Sequence, residues 1–188
     1  MYDENSSRMR VRAICEGAIF VALSWALSYL KLDLWFQGGS VDLVMIPIII
    51  YAVRWGAGWG MGAGLIFGTL KFFLAGGFAI GWQSIVFDYT LAYMVVGLAG
   101  LCRGRTSGAV WGSVIGGTVR FLVHYISGIT IYAAYMPDSF MGMTMTSPYI
   151  YSALYNGAYM VPNTVIAVVA GLLLAKPLGR YLTGSDLQ

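Results

Sequence analysis

Long apolar runs, separated by short polar or glycine-containing stretches, set the pattern of the whole chain. Residues 13–30, 41–53, 56–74, 83–101, 108–132 and 150–175 are each mostly apolar and carry few charges. A membrane-spanning helix needs about 20 predominantly apolar residues, and only helices or closed barrels satisfy the backbone in lipid. The period-two alternation of barrel strands is absent. The pattern therefore predicts an all-α integral membrane protein, a single membrane domain over 1–188 with six transmembrane helices. The second run is short, and only Arg54 and Trp55 divide it from the third, so five spans plus a re-entrant segment is the alternative arrangement.

Composition strengthens this reading. Of 188 residues, 59% are hydrophobic and 10% are charged, against about 25% charged in soluble domains. The net charge of +3 does not signal nucleic acid, because the basic residues stand at the ends of apolar runs rather than along one stripe. Arg8, Arg10 and Arg12 before an apolar run resemble a signal peptide. The run from Ala13 to Leu30 is longer than a typical signal core, however, and comparable runs follow, so it reads as a retained first span. With the N-terminus inside, the inner flanks hold Arg8, Arg10, Arg12, Arg54, Arg103, Arg105, Lys176 and Arg180, against Lys31 and Lys71 outside. Both termini are then cytoplasmic, and segments 31–40, 75–82 and 133–149 face outward. The last, with Pro137, Asp138 and Pro148, is the candidate lid.

Gly56, Gly60, Gly64 and Gly68 recur every fourth residue in the third run, and Gly112 with Gly116 repeats the spacing in the fifth. Small residues at this spacing let helices approach closely. Ala18, Ala22 and Ala26 make a similar stripe on the first run, facing either a neighbouring helix or a partner protein.

Asp88 lies inside an apolar run, where an ionisable group is costly and points to function. Two explanations stay open: an ion pair with Arg120 in the fifth run, or recognition of a cationic or amine-bearing ligand. Arg120, His124 and Tyr132 fall within one third of a helix circumference, giving that helix one polar and aromatic face. Tyr89, Tyr132, Tyr135, Tyr149, Tyr151 and Tyr155 crowd the outer ends with Trp35 and Trp82. Most fit an interfacial aromatic belt, but aromatic faces also attract organic cations. Asn156, with Tyr151, adds amide and hydroxyl groups that read ring nitrogens or an amine.

Chemistry of other kinds is excluded by missing motifs. There is no GxxxxGK[ST] phosphate loop, no GxSxG and no HExxH, and Cys15 and Cys102 lack the spacing of a metal site or disulfide framework. The methionines do not cluster with His124. The sequence predicts neither an enzyme nor a cofactor.

Five stretches taken in order, WFQGGSVDLVMIP at 35–47, YAVRWG at 51–56, FDYTLAYMVVGLAGL at 87–101, RFLVHYISGITIY at 120–132 and YSALYNGAYMVP at 151–162, resemble the ThiT (YuaJ) family, the thiamine-binding S-components of energy-coupling factor transporters. The resemblance covers nearly the whole chain. It implies a six-helix fold that holds thiamine near the outer surface of a bacterial plasma membrane. It also implies a complex with a membrane-embedded T-component and two cytoplasmic ATPase subunits, which supply ATP hydrolysis. By position, Asp88, Tyr89, His124, Tyr151 and Asn156 match the family's ligand contacts, Trp35 its loop tryptophan, and Ala18 with Ala22 its docking surface. Asp88, Arg120 and Tyr132 stand where some relatives carry glutamate, lysine and tryptophan, which changes pocket depth and stacking. The alternatives are an S-component for a pyridoxine-like or hydroxymethylpyrimidine compound, and a self-sufficient proton-coupled transporter using Asp88 and His124.

Overall fold

The computed structural model describes residues 4–34, 39–74 and 79–187. The apolar runs wind into helices α1 (Glu4–Leu27), α2 (Met45–Trp55), α3 (Ala57–Leu74), α4 (Trp82–Cys102), α5 (Gly108–Thr130) and α6 (Pro148–Ala175), followed by a short helix α7 (Gly179–Leu182). Two small antiparallel hairpins interrupt them. Strand β1 (Lys31–Asp33) pairs with β2 (Ser40–Asp42), and β3 (Ser139–Phe140) pairs with β4 (Met143–Thr144).

Hydropathy marks where a helix becomes apolar, not where it starts. Thus α1 begins at Glu4 rather than at 13, since Glu and Arg are good helix formers. The second helix begins at Met45 rather than 41, because Ser40–Asp42 is taken up in the hairpin and Asp42 Oδ1 accepts from the Val44 N–H at 3.2 Å. Every residue of α2 except Ile46 is buried. Its 11 residues span about 16 Å, about half of a hydrocarbon core, and an apolar helix this short and this enclosed is a strut at the centre of the bundle. Among the described residues four helices, α3 to α6, are long and apolar enough to cross a membrane. Their outward faces carry exposed apolar side chains, among them Ile66, Phe73, Trp111, Val161 and Leu173.

The glycine stripe of α3 presses on α4. A Cβ at Gly60 would run into Ala52 and the Gly97 carbonyl, one at Gly64 into the Tyr93 carbonyl, and one at Gly68 into the Tyr89 carbonyl. Gly112 and Gly116 bring α5 against Ala99 and Val96 less tightly, with a Cβ there about 3 Å from its nearest neighbours. At the α2–α3 corner Gly56 has φ +99°, a left-handed value that a side chain would strain.

Charge gathers at the end of the bundle that holds the termini, the α2–α3 corner and the α4–α5 turn. Arg54, wholly buried, donates to Glu16 Oε2 at 2.6 Å, to Asp186 Oδ1 at 2.7 Å and to the Tyr181 carbonyl at 2.8 Å. Trp55 Nε1 and the Tyr181 hydroxyl also donate to Glu16, and Arg12 pairs with both Glu16 and Asp186. This network ties α1, the α2–α3 corner and the C-terminal turn together.

Candidate ligand-binding site

Asp88 sits in the opposite half of the bundle, in a stretch of α4, Ile85–Leu91, that takes π-helical geometry. Such wide turns recur at functional sites, because the added residue bulges a side chain out of the regular ladder. Gly68, with no side chain, lets this turn lie against α3 through the Tyr89 carbonyl.

The carboxylate meets α5 through His124, whose Nδ1 stands 3.3 Å from Asp88 Oδ1. A carboxylate only accepts, so this contact is a hydrogen bond in the tautomer that carries the proton on Nδ1. The ion pair between Asp88 and Arg120 offered by the sequence does not form among the described residues. Arg120 instead lays its guanidinium over the Tyr93 ring, with Cζ 4.1 Å from the centroid. Five buried side-chain atoms in this region lack any hydrogen-bond partner: Asp88 Oδ2, Arg120 Nε and Nη1, His124 Nε2 and Ser127 Oγ. Together they offer acceptors and donors to a ligand that presents the complement.

Aromatic rings wall the region. Tyr151, Tyr155 and Tyr159 follow one another along one face of α6 with centroids 5.6 and 6.2 Å apart, and Tyr159 meets the His124 ring edge-on at 5.9 Å. Phe140 of β3 caps this row against Tyr151 at 5.3 Å. The Tyr132 hydroxyl stands beside Asp88 and Ser84, and Tyr89 packs on Phe72. A cleft of about 400 Å³ opens between the start of α4 and the end of α5, lined by Ile80, Gly81, Gln83, Thr130, Ile131 and Tyr135.

Of the residues expected from the sequence, Asp88, Arg120, His124 and Tyr132 come together beside this cleft without lining it, and Tyr151 is buried in the tyrosine row of α6. Asn156 is also here, but its groups are engaged within the protein. Its Nδ2 donates to the Ser152 and His124 carbonyls, and its Oδ1 accepts from the Tyr159 hydroxyl at 2.6 Å. Gly128 permits this approach, since a Cβ there would strike Ser152. Asn156 thus fixes α6 against α5. Trp35 lies outside the described residues. Ala18 and Ala22 are exposed on α1.

The sequence reading passed over a second polar cluster behind Arg120. Lys71, assigned to an outer flank, donates to the Tyr93 hydroxyl at 2.7 Å and lies 3.5 Å from Asp42 Oδ2. Asp42 is buried, and its N–H donates to Asn163 Oδ1 at 2.8 Å. Lys71 and Asp42 stand near the margins of apolar runs, where a charge reads as an interfacial flank.

The thiamine transporter ThiT of Bacillus subtilis is 31% identical over 196 residues, covering 95% of this chain and 97% of that protein. The thiamine transporter ThiT of Lacticaseibacillus paracasei is 30% identical over 184 residues, covering 86% of each. A solved structure of ThiT from Listeria monocytogenes superposes with a TM-score of 0.79 at 25% identity, covering 93% of this chain and 98% of that one. The Bacillus subtilis and Lacticaseibacillus paracasei relatives are named as transporters, not enzymes. The family model described as thiamine transporter protein (Thia_YuaJ) matches residues 14–182, and the chain belongs to that family of membrane proteins.

Proposed function

We propose that this chain is the high-affinity thiamine-binding subunit, or S-component, of an energy-coupling factor uptake system. It captures thiamine from the outer side of a bacterial plasma membrane and hands it on with a T-component and two ATPase subunits. The observation that carries the reading is Asp88 Oδ2, a buried carboxylate oxygen without a partner, set among Tyr132, Tyr155 and Tyr159. Thiamine joins a permanent thiazolium cation to an aminopyrimidine. A carboxylate among desolvated aromatic rings suits the cation, and the donors of Arg120 suit pyrimidine nitrogens. The names of the relatives supply the substrate, and the family resemblance supplies the partners.

In this reading the six-helix bundle sits in the membrane with both termini cytoplasmic and its basic end facing inward, the short α2 enclosed by the longer helices. Ala18 and Ala22, exposed on α1, form the surface that meets the T-component. Thiamine titration of the purified, ligand-stripped protein, followed by tryptophan fluorescence, tests the reading. Saturable quenching that pyridoxine and hydroxymethylpyrimidine fail to compete away supports it; a folded protein that gives no response sinks it.

The 3.3 Å contact of Asp88 with His124 favours a second reading, a proton relay in a self-sufficient transporter. Thiamine uptake into vesicles holding this chain alone, driven by a proton gradient, separates the two.

A further inference from the structure

Arg120 is 5% exposed and keeps two guanidinium N–H groups without partners, so its orientation decides what a ligand meets. That orientation is set by the Tyr93 ring beneath it. Tyr93 is itself held on two sides: Phe67 packs edge-on at 4.8 Å with an interplanar angle of 82°, and Lys71 Nζ donates to its hydroxyl at 2.7 Å. Lys71 is held in turn by Asp42, 3.5 Å away. Asp42 is fixed by the Val44 N–H, by Ser40 Oγ at 3.3 Å and, through its own N–H, by Asn163.

We infer that Lys71, anchored by Asp42 and acting through Tyr93, is a positioning residue that aims the Arg120 guanidinium into the ligand site. Lys71 touches no ligand. It stands at the edge of the Tyr93 ring while Arg120 lies on the face, and the two cations sit 5.1 and 4.1 Å from the same centroid. Placing two positive charges on one tyrosine is unfavourable unless a counter-charge offsets their repulsion. Asp42 serves Lys71, whereas Arg120 keeps donors open toward the site. Without the Lys71 contact the Tyr93 hydroxyl loses its donor, the ring gains freedom, and the guanidinium above it is no longer aimed. The inference rests on the thiamine-binding reading of this site and adds to it the residues that fix its donor.

Double-mutant cycles on thiamine affinity test it. Lys71→Met is expected to weaken binding about tenfold, as for loss of a hydrogen bond to a charged group. Tyr93→Phe keeps the ring and removes only the hydroxyl, and serves as a second variant if Lys71→Met does not fold. The loss should vanish in an Arg120→Met background, where nothing remains to be aimed, and persist in full in a Tyr132→Phe background. An equal loss in both backgrounds, or no loss in wild type, overturns the relay, since a merely structural lysine would not distinguish them. A wild-type protein that binds no thiamine would defeat the functional reading instead. The same two cycles, read on the thermal midpoint of the ligand-free protein, then decide the relay: coupling to Arg120 and none to Tyr132 supports it, and equal coupling overturns it.

Discussion

A buried polar atom without a partner costs about 1–3 kcal/mol, and more when charged; Asp88, Arg120, His124 and Ser127 all carry such atoms within one region. A folded protein keeps that cost where a ligand recovers it. Asp88→Asn should therefore lower thiamine affinity roughly a hundredfold, the upper range for a hydrogen bond to a charged group, while leaving the thermal midpoint of the ligand-free protein unchanged or raised. Asparagine still accepts from His124 Nδ1, and the uncompensated charge is gone. Titration calorimetry beside a melting curve measures both, and unchanged affinity would remove Asp88 from the site. Asp88, Arg120 and His124 were visible in the sequence because an ionisable group inside an apolar run stands out. Their mutual arrangement was not, since Arg120 turns to Tyr93 instead of Asp88. Lys71 and Asp42 were hidden by their position at the margins of apolar runs, where a charge reads as an interfacial flank. The contact between Asp42 and Asn163 bridges 121 positions, and no local pattern reports such a pairing.

At the scale of elements, α4 depends on α3 for its shape. The glycine face of α3 lets the backbone of α4 lie where side chains would otherwise stand: Gly68 backs the π-turn bearing Asp88 at Tyr89, and Gly64 backs the following turn at Tyr93. Gly64→Ala must push the Tyr93 carbonyl away and should cost about 1–3 kcal/mol, the usual range for overpacking, with thiamine affinity falling too as Tyr93 moves. Gly62 lies on the same helix with open space where its Cβ would be. Gly62→Ala should be neutral or stabilise by up to about 1 kcal/mol, because alanine is the better helix former. Thermal melts of the two variants decide the matter: equal effects would mean that helix propensity, rather than the contact with α4, controls this face. The four-residue glycine period was legible as a packing stripe, but its partner was not. The hairpins β1–β2 and β3–β4 escaped notice because strands of two or three residues are too short to show alternation. The π-turn escaped because the sequence around Asp88 is an ordinary apolar helix pattern, and its irregularity is visible only in the backbone.

Across the whole molecule, the network of Arg54, Glu16, Asp186 and Arg12 joins the first helix to the last turn, and it gives stability a sign with pH. The Arg54 guanidinium, helped by Arg12, holds the Asp186 carboxyl below the ordinary range, even against partial desolvation. A carboxyl depressed in the folded state contributes stability that is fully present above its unfolded value, about 3.9, and is lost as pH falls through its folded value. The thermal midpoint in detergent should thus fall as pH drops below about 4, and Asp186→Asn should lower the midpoint at neutral pH while flattening that fall. An acid limb identical in wild type and variant would assign the loss to other carboxylates. The same clamp holds α1 by Glu16 while Ala18 and Ala22 point outward, so the proposed docking helix is fixed on one side and smooth on the other. If that face meets the T-component, Ala22→Trp should leave thiamine binding by the purified protein unchanged and abolish uptake by cells that make the partner subunits. Normal uptake would move the docking surface elsewhere. Lost binding would instead mean that α1 shapes the ligand site, although its main packing is against α2 and α3.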